Sequence, residues 1–246
     1  MDAAFWLARW EEGRIGFHEA EGSDLLRRFL GRLADAPASV LVPLCGKAVD
    51  LRTLAAAGHR VHGVDLSPLA AAAFFEESGA SPERDALGPF ERLRGGVITY
   101  LVGDIFALTP EHLGPVQAIF DRAALVALSP EDRERYVALL SSCLVPGGRL
   151  LLVAFDYDQA LAPGPPFSVP DDEVRRLFGE RFDLELLEER ATPSQNPRLQ
   201  SLGVTSVREA AWLLTRRASL PDTTDAAGGG DGEGCYRSNS PTISAG

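Results

Sequence analysis

A strand–helix–strand unit between Val40 and Ser67 constrains the fold more than any other stretch of this chain. The apolar run Val40–Val42 stops at a proline, which cannot continue a central strand, and Gly46 then allows a tight turn into a helix. A second apolar run, Val61–Leu66, predicts another strand. Two strands joined by a helix of this length pair in parallel through a right-handed crossover. We therefore expect an α/β protein.

Asp65 falls at the carboxyl end of the second predicted strand. In nucleotide-binding α/β folds, an acid about 20 residues beyond the first turn accepts hydrogen bonds from ribose hydroxyls. A dinucleotide site needs three glycines in that turn, and only Gly46 is present. S-adenosylmethionine, which has ribose and adenine but no phosphate, fits better. The alternative is structural, with Asp65 capping the helix that begins at Ser67-Pro68.

The composition excludes several classes of function. The 246 residues carry a net charge of -11, so the surface repels phosphate backbones and nucleic acid is not an expected partner. The three cysteines (Cys45, Cys143 and Cys235) are widely spaced, which indicates a reducing compartment and no disulfide framework. No signal peptide is recognisable, and no apolar run approaches the ~20 residues of a membrane span. We expect a soluble, cytoplasmic monomer.

Aromatic residues cluster near the N-terminus. Phe5, Trp6 and Trp10 precede a glycine-rich turn, and Phe17 follows it. The spacing of four places both indoles on one face of a short helix. An amphipathic helix that plugs the core is the more frequent explanation of such a stripe. The alternative is an aromatic lid over a ligand, because aromatic faces line small-molecule pockets and attract a sulfonium cation.

The remaining periodicity predicts a doubly wound, mostly parallel seven-stranded sheet with an antiparallel C-terminal hairpin. The predicted strands are residues 40–42, 61–66, 97–102, 116–121, 149–155, 182–188 and 207–214. The stretches 80–96 and 191–202 have the composition of loops, and the aromatic, proline-rich loop 156–170 is expected to border the site. The tail 218–246 has no apolar periodicity, and we expect it to be disordered.

Charged residues follow two further predicted strands. Asp104 follows the third strand, where it is placed to reach an adenine amino group or simply to cap the next turn. Arg122 follows the fourth strand and is a candidate for holding an anionic nucleophile, because arginine stays protonated. Alternatively, Arg122 pairs with Asp121, Asp104 or a cofactor carboxylate. The four histidines do not have the spacing that is typical of metal ligands: His18, His59, His62 and His112.

Five segments together resemble the thiopurine S-methyltransferase family, especially its bacterial members. They are WEEGRIGFH, VPLCGKAVDL, GHRVHGVDLS, DRAALVAL and GPPFSVP, within a similarity that runs from about Trp6 to about Leu214. The resemblance implies a Rossmann-like, class I S-adenosylmethionine-dependent methyltransferase domain over residues 1–217, with no metal. The implied acceptor is a small molecule that presents a sulfur, selenium or tellurium nucleophile.

The resemblance also assigns site residues. Those that contact the cofactor would be Trp6, Trp10, Phe17, Leu44, Gly46, Asp65, Asp104, Ile105 and Arg122. Those that contact the substrate would be Phe17, Pro166, Phe167 and Arg198. Arg122 and Arg198 are the catalytic candidates. Two positions depart from the family pattern: Asp65 stands where the best-known members carry glutamate, and Ala123 replaces a usual glycine.

Two other classes of function remain open on the sequence alone. One is a methyltransferase of the same fold for halide, thiocyanate, selenite or tellurite. The other is a nucleoside-binding module without catalysis. For any such methyl transfer the substitution is in-line at an already activated carbon, so the protein chiefly supplies orientation and exclusion of water.

Overall fold

The computed structural model describes residues 3–16, 18–194 and 196–218. Phe17, Cys235 and nearly all of the expected tail lie outside these residues. None of the described helices is long and apolar enough to cross a membrane.

The described residues form nine strands, eight α-helices and two 3₁₀ turns. The strands are β1 (Ser39–Pro43), β2 (Arg60–Asp65), β3 (Glu83–Leu87), β4 (Phe90–Gly95), β5 (Ile98–Val102), β6 (Val116–Arg122), β7 (Leu144–Asp156), β8 (Phe182–Pro193) and β9 (Ser206–Arg216). The helices are α1 (Ala3–Glu11), α2 (Asp24–Leu33), α3 (Asp50–Ala56), α4 (Pro68–Glu77), α5 (Pro110–Leu113), α6 (Pro130–Cys143), α7 (Asp171–Phe178) and α8 (Pro197–Ser201). The 3₁₀ turns are Ile105–Ala107 and Leu125–Ala127.

All nine strands belong to one sheet, in the order β3-β4-β5-β2-β1-β6-β7-β9-β8. The central strands β5, β2, β1, β6 and β7 run parallel, and β9 and β8 add an antiparallel hairpin at one edge. This arrangement confirms the expected parallel sheet with its C-terminal hairpin. Because the central strands are parallel, their carboxyl ends meet at one edge of the sheet, where ligands bind in open α/β folds.

Apolar side chains cover both faces of the sheet. Along β1, Leu41 packs into one core cluster with α6 and α7, whereas Val40 and Val42 pack into a second cluster with α2, α3 and α4. Successive side chains of a strand point to opposite faces, so a fully apolar strand requires helices on both sides. The result is a three-layered sandwich that leaves the edge of the sheet open for a site.

The sheet has nine strands because residues 80–96, expected to be a loop, form the hairpin β3–β4 beside β5. Its outer strand β3 buries none of its residues, so it has no hydrophobic alternation to detect. Opposite charges face each other across the pair instead, since Arg92 bonds Asp85 at 2.8 Å and Arg94 lies 3.3 Å from Glu83. Cross-strand charge pairs stabilise such an edge without burial.

Three element boundaries also differ from the expectation. Residues 191–202 are not irregular throughout, because β8 continues to Pro193 and α8 follows at Pro197–Ser201. The side chain of Asn196 caps α8 by accepting from the backbone N–H of Arg198 at 3.0 Å. The fifth predicted strand begins earlier, since β7 already pairs with β6 at Leu144. The helix α8 was not predicted because a short, polar helix leaves little apolar periodicity in the sequence.

A buried acid connects the end of β6 to α6. Asp121 is fully buried and accepts hydrogen bonds from the hydroxyl of Tyr136 at 2.8 Å and from the backbone N–H of Leu125 at 3.2 Å. Burial raises the pKa of Asp121 to about 6, although these donors act in the opposite direction. The pair fixes the chain where it leaves the sheet, directly before Arg122.

Asp121 should make the protein's stability depend on pH. Its raised pKa means that the folded protein keeps a proton between about pH 4 and pH 6 that the unfolded chain has lost. The stabilisation is therefore present below pH 4 and lost as the pH rises through 6. The variant Asp121→Asn has no carboxyl group at this position, so its stability should not fall over this pH range. The difference in free energy of unfolding, variant minus wild type, should therefore increase by about 3 kcal/mol from pH 4 to pH 7. Urea titrations at several pH values measure it. A constant difference would contradict the assignment. Tyr136→Phe, which removes a donor, should move the loss to higher pH.

Candidate functional site

A cleft of about 530 Å³ opens at the carboxyl edge of the sheet. Its floor is formed where four parallel strands end, by Leu44 after β1, Asp65 of β2, Arg122 of β6 and Phe155 of β7. The segment from α1 to Glu19 covers one side. A second wall comes from the proline-rich loop and the region around α8, and it includes Pro165, Pro166, Pro193, Asn196, Arg198 and Leu199. The cleft therefore lies where a parallel sheet is expected to bind a ligand.

The turn after β1 has an unusual backbone. Leu44 is in the left-handed region, with φ 45°, which costs an ordinary residue roughly 1–2 kcal/mol. The next two backbone groups hold this turn in place. The N–H of Cys45 donates to the carbonyl of Val64 at 3.1 Å, and the carbonyl of Gly46 accepts from the hydroxyl of Tyr100 at 2.8 Å. Strained residues that neighbouring bonds hold in place are concentrated at functional sites.

The carboxylate of Asp65 lies between this turn and α4. It accepts a hydrogen bond from the N–H of Gly46 at 2.8 Å and another from the N–H of Ser67 at 2.9 Å. Ser67 is the N-cap of α4, so the structural alternative for Asp65 is observed. Asp65 also lines the cleft, so its role as a cap does not exclude the predicted contact with ribose hydroxyls. Burial raises its pKa, and the two backbone donors oppose that shift.

The aromatic helix α1 forms part of the cleft wall and does not plug the core. None of its residues is buried, so the more frequent explanation of the aromatic stripe is wrong. Trp6 and Trp10 both line the cleft. A β-carbon placed on Gly46 would approach the Trp10 ring at 3.0 Å, so the indole lies directly against the turn after β1. The apolar face of α1 faces the cleft. Sequence periodicity reveals such a face but cannot tell whether it covers a cleft or a core.

Several residues assigned by resemblance lie outside the lining of the cleft. Asp104 is exposed and accepts from the N–H of Phe106 at 2.9 Å, so it caps the 3₁₀ turn after β5. Ile105 is fully buried in the core. Gly46 reaches the site through its N–H to Asp65. The ring of Phe167 lies under Arg133, whereas Pro166 does line the cleft.

Arg122 forms an ion pair with Glu19, on the segment that follows α1. Its guanidinium also lies 5.9 Å from the centre of the Phe155 ring. Asp121, offered as an alternative partner, instead bonds Tyr136, and Asp104 caps its own turn. Burial raises the pKa of Glu19, and the charge of Arg122 opposes that shift. Arg122 thus connects the end of β6 to the segment that covers the cleft.

Two further arginines hold the proline-rich loop. Arg198 donates to the carbonyl of Pro165 at 2.7 Å. Arg133 is almost fully buried, donates to the carbonyl of Ser168 at 3.3 Å and lies 2.7 Å from Glu173 of α7. Removing one member of such a buried pair is strongly destabilising, because a charge is left without compensation. The loop therefore presents its prolines to the cleft from a fixed base.

Four residues that build the site were not predicted from the sequence. Phe155 lies near the carboxyl end of β7. The same argument that selected Asp65, a position at the carboxyl end of a parallel strand, would have selected it. Arg9 lies three residues after Trp6, which places the two on neighbouring positions of one helix. Glu19 and Arg133 leave no local signal, because each acts on a partner far along the chain.

The lining suits a nucleoside without phosphates. Indole rings supply stacking surfaces, and Asp65 offers a carboxylate at the end of β2 for ribose hydroxyls. A glycine-rich loop for a pyrophosphate is missing from the turn after β1. Within the described residues, no group of three or more histidine, cysteine or acidic side chains is arranged to hold a metal ion.

Solved structures share this fold. A methyltransferase of Anabaena variabilis superposes with a TM-score of 0.60 at 17% identity, covering 87% of this chain and 95% of its own. A toxoflavin-precursor N-methyltransferase of Burkholderia thailandensis, solved with S-adenosylhomocysteine, gives a TM-score of 0.57 at 18% identity, covering 88% and 87%. The fold is that of class I S-adenosylmethionine-dependent methyltransferases.

The sequence comparisons narrow this class to one family. The profile of the thiopurine S-methyltransferase family matches residues 1–217. Thiopurine S-methyltransferases of Pseudomonas aeruginosa and Nitrosospira multiformis are 48% and 43% identical, covering 88% and 89% of this chain and 100% of each relative. The chain belongs to the thiopurine S-methyltransferase family, which confirms the resemblance. It is an S-adenosylmethionine-dependent S-methyltransferase with a small-molecule acceptor, and neither alternative class is needed.

Ala123, which replaces a usual glycine of the family, stands in the left-handed region with φ 68° and lines the cleft. A β-carbon is unfavourable there, so Ala123→Gly should stabilise the protein by about 1 kcal/mol. Thermal unfolding should shift upward by roughly 2–4 °C for a domain of this size. The neighbouring Ala124 is fully buried with φ -83°, so Ala124→Gly should lower stability by a similar amount. Shifts of the same sign in both variants would contradict the strain.

Proposed function

We propose that the chain methylates the sulfur of a small aromatic thiol, which binds as its thiolate beside Arg198. The observation that carries this is the environment of Arg198, a cation in the cleft wall that donates a hydrogen bond to an uncharged carbonyl, that of Pro165. Indole and proline surfaces of the same cleft favour a flat apolar acceptor. A positive charge nearby lowers a thiol's pKa and so favours the reactive anion.

The cofactor residues follow from the same geometry. Asp65 would accept from the ribose hydroxyls, and Trp6 and Trp10 would cover the nucleoside and face the sulfonium. Leu44, which lines the cleft in the strained turn, would contact the cofactor from the floor. Asp104 is exposed after β5, beside the end of β2, so it would act at the rim of the cleft, whereas buried Ile105 would act only by supporting that turn. Phe17, assigned to both ligands by resemblance, lies outside the described residues.

When bound, S-adenosylmethionine supplies a methyl group already activated by its positive sulfur. The chain's own residues would then have three tasks. The α1 helix and the proline-rich loop exclude water from the cleft, Asp65 orients the nucleoside, and Arg198 holds the thiolate in its charged form. No general base is required for a thiol of low pKa, because that thiol is already ionised near neutral pH.

Arg122 has a different place in this proposal. Its ion pair with Glu19 already compensates one charge and connects β6 to the cover of the cleft. We therefore assign Arg122 to the cofactor side and to the positioning of that segment. The role originally predicted for it, holding the nucleophile, stays a prediction that the experiment below distinguishes. Selenium or tellurium acceptors, the monomeric state and a cytoplasmic location also stay predictions.

Asp65→Ala should weaken binding of S-adenosylmethionine roughly ten- to a hundredfold, because it removes charge-assisted hydrogen bonds. It should also lower the melting temperature, since the N–H groups of Gly46 and Ser67 lose their acceptor. Titration calorimetry on the folded variant measures the affinity. Asp65→Glu keeps the carboxylate and should retain most of it.

Ser67→Ala is the matched control for this test. It removes the hydroxyl that caps α4 through the N–H of Ala70 but keeps the backbone donor to Asp65. We expect a loss of about 1 kcal/mol in stability, with cofactor affinity unchanged within twofold. Unchanged affinity in a folded Asp65→Ala variant would refute the ribose contact.

Arg198→Met should lower kcat/KM for an aromatic thiol roughly ten- to a hundredfold and raise the pH of half-maximal rate, while cofactor affinity stays nearly intact. The reason is that the thiolate loses its neighbouring cation. Arg122→Met should instead weaken cofactor binding or lower the melting temperature, because Glu19 is left partly buried without its counter-charge. Initial rates measured over a range of pH give the pH–rate profile of each variant. Titration calorimetry and thermal unfolding give its cofactor affinity and its melting temperature.

Arg198→Lys is the control, because it keeps the charge and should keep the wild-type pH profile. If only Arg122→Met shifts the pH–rate profile, the two roles are exchanged. If neither variant shifts it, anion holding is wrong for both arginines.

A further inference from the structure

Arg9 is a cation in the cleft to which no role has been assigned. It lines the cleft beside the two tryptophans of α1. Its Nε is buried without a hydrogen-bond partner, and none of the ion pairs between described residues includes it. Its guanidinium lies 5.2 Å from the centre of the Phe5 ring. Burial lowers the pKa of Arg9, and the nearby charges of Arg14 and Arg198 lower it further, while the charge of Glu12 opposes that shift.

Other charged groups of the lining already have partners. Arg14 pairs with Glu12, and Glu209 lies 2.7 Å from Arg190. What remains is three arginines (Arg9, Arg122 and Arg198) against two acids (Glu19 and Asp65). The described lining therefore has an excess of one positive charge.

Bound ligands change this balance. S-adenosylmethionine carries a sulfonium, an ammonium and a carboxylate, and so adds one more positive charge. A singly charged thiolate acceptor would leave the closed site positive, and uncompensated charge away from water is costly. An acceptor with a thiolate and a second anionic group would make the site neutral. Arg198 and Arg9 line the same cleft, and the charge of Arg198 acts on Arg9, so the two cations are placed to receive the two charges of one small molecule.

We infer that Arg9 is a specificity-determining residue, which binds a carboxylate carried by the acceptor in addition to its thiol. The inference rests on the proposed function for its sulfur chemistry and adds the class of acceptor: acidic thiols over neutral ones of the same shape. In this arrangement the guanidinium of Arg9, which lines the cleft, gains a charged acceptor, and the repulsion between Arg9 and Arg198 is relieved. Bidentate bonding from a guanidinium gives the carboxylate a defined orientation.

The test compares 4-mercaptophenylacetate with its amide, which has nearly the same shape and no charge. Wild type should methylate the acid with the higher kcat/KM. Arg9→Met should lower kcat/KM for the acid roughly ten- to a hundredfold, through KM more than kcat, and change the amide less than twofold. Arg9→Lys should keep much of the preference. Equal losses on both acceptors, or no loss on the acid, would overturn the inference.

A binding measurement separates this inference from the proposed function. The S-methylated products of the same acid and amide are titrated calorimetrically, in the presence of S-adenosylhomocysteine, so that no turnover is needed. Wild type should bind the acid more tightly, and Arg9→Met should lose that preference. Equal affinity of wild type for both ligands overturns the inference even if the thiols are methylated. Failure of methyl transfer with the binding preference intact would refute the proposed function alone.

Arg28→Met is the control for removal of a positive charge elsewhere. Arg28 is an exposed arginine of α2, its carboxylate partner is Glu188, and it is not part of the cleft lining. Its substitution should leave the ratio of kcat/KM between acid and amide within twofold of wild type. A comparable loss of preference in Arg28→Met would show a general effect of net charge, and it would overturn the role of Arg9.

Discussion

The carboxylate of Asp65, which accepts from two backbone N–H groups, holds together the parts of the chain that meet at the cleft. One of its hydrogen bonds comes from the turn after β1 and the other from the start of α4. The turn needs such support, because Leu44 adopts a left-handed conformation. A carboxyl group with two fixed donors keeps its remaining lone pairs in a defined direction. Asp65 therefore stabilises the carboxyl edge of the sheet, and the same two hydrogen bonds orient its carboxylate in the cleft.

The cover of the cleft depends on charges from distant parts of the chain. Glu19 connects the N-terminal segment to Arg122 at the end of β6, and buried Arg133 holds the proline-rich loop through Ser168 and Glu173. Such pairs contribute specificity of arrangement more than stability, because desolvation offsets much of their attraction. They fix the cover of a cleft whose lining holds Asp65 at the floor and the arginines Arg9 and Arg198 on its walls.

The differences between expectation and structure have common physical causes. The strand β3 was missed because charge pairs across the hairpin stabilise it, and burial does not. The helix α1 was placed in the core because a cavity and a core select the same apolar stripe. Asp104 and Asp65 look alike in sequence, since each is an acid following a strand. Only the packing shows that one caps an exposed turn and the other lies in the cleft.

The parallel sheet, the crossover that brings Asp65 to its carboxyl edge, and membership of the family could all be predicted from the amino-acid sequence. These depend on local patterns: apolar runs, glycine and proline at turns, and short segments of fixed spacing. Which cations face the cleft, and which of them are neutralised, became visible only in the three-dimensional packing. The pairing of Arg122 with Glu19 and the absence of a described acidic partner for Arg9 arise between segments far apart in the chain. Electrostatic interactions depend on distance in space and on burial, and neither can be read along a sequence.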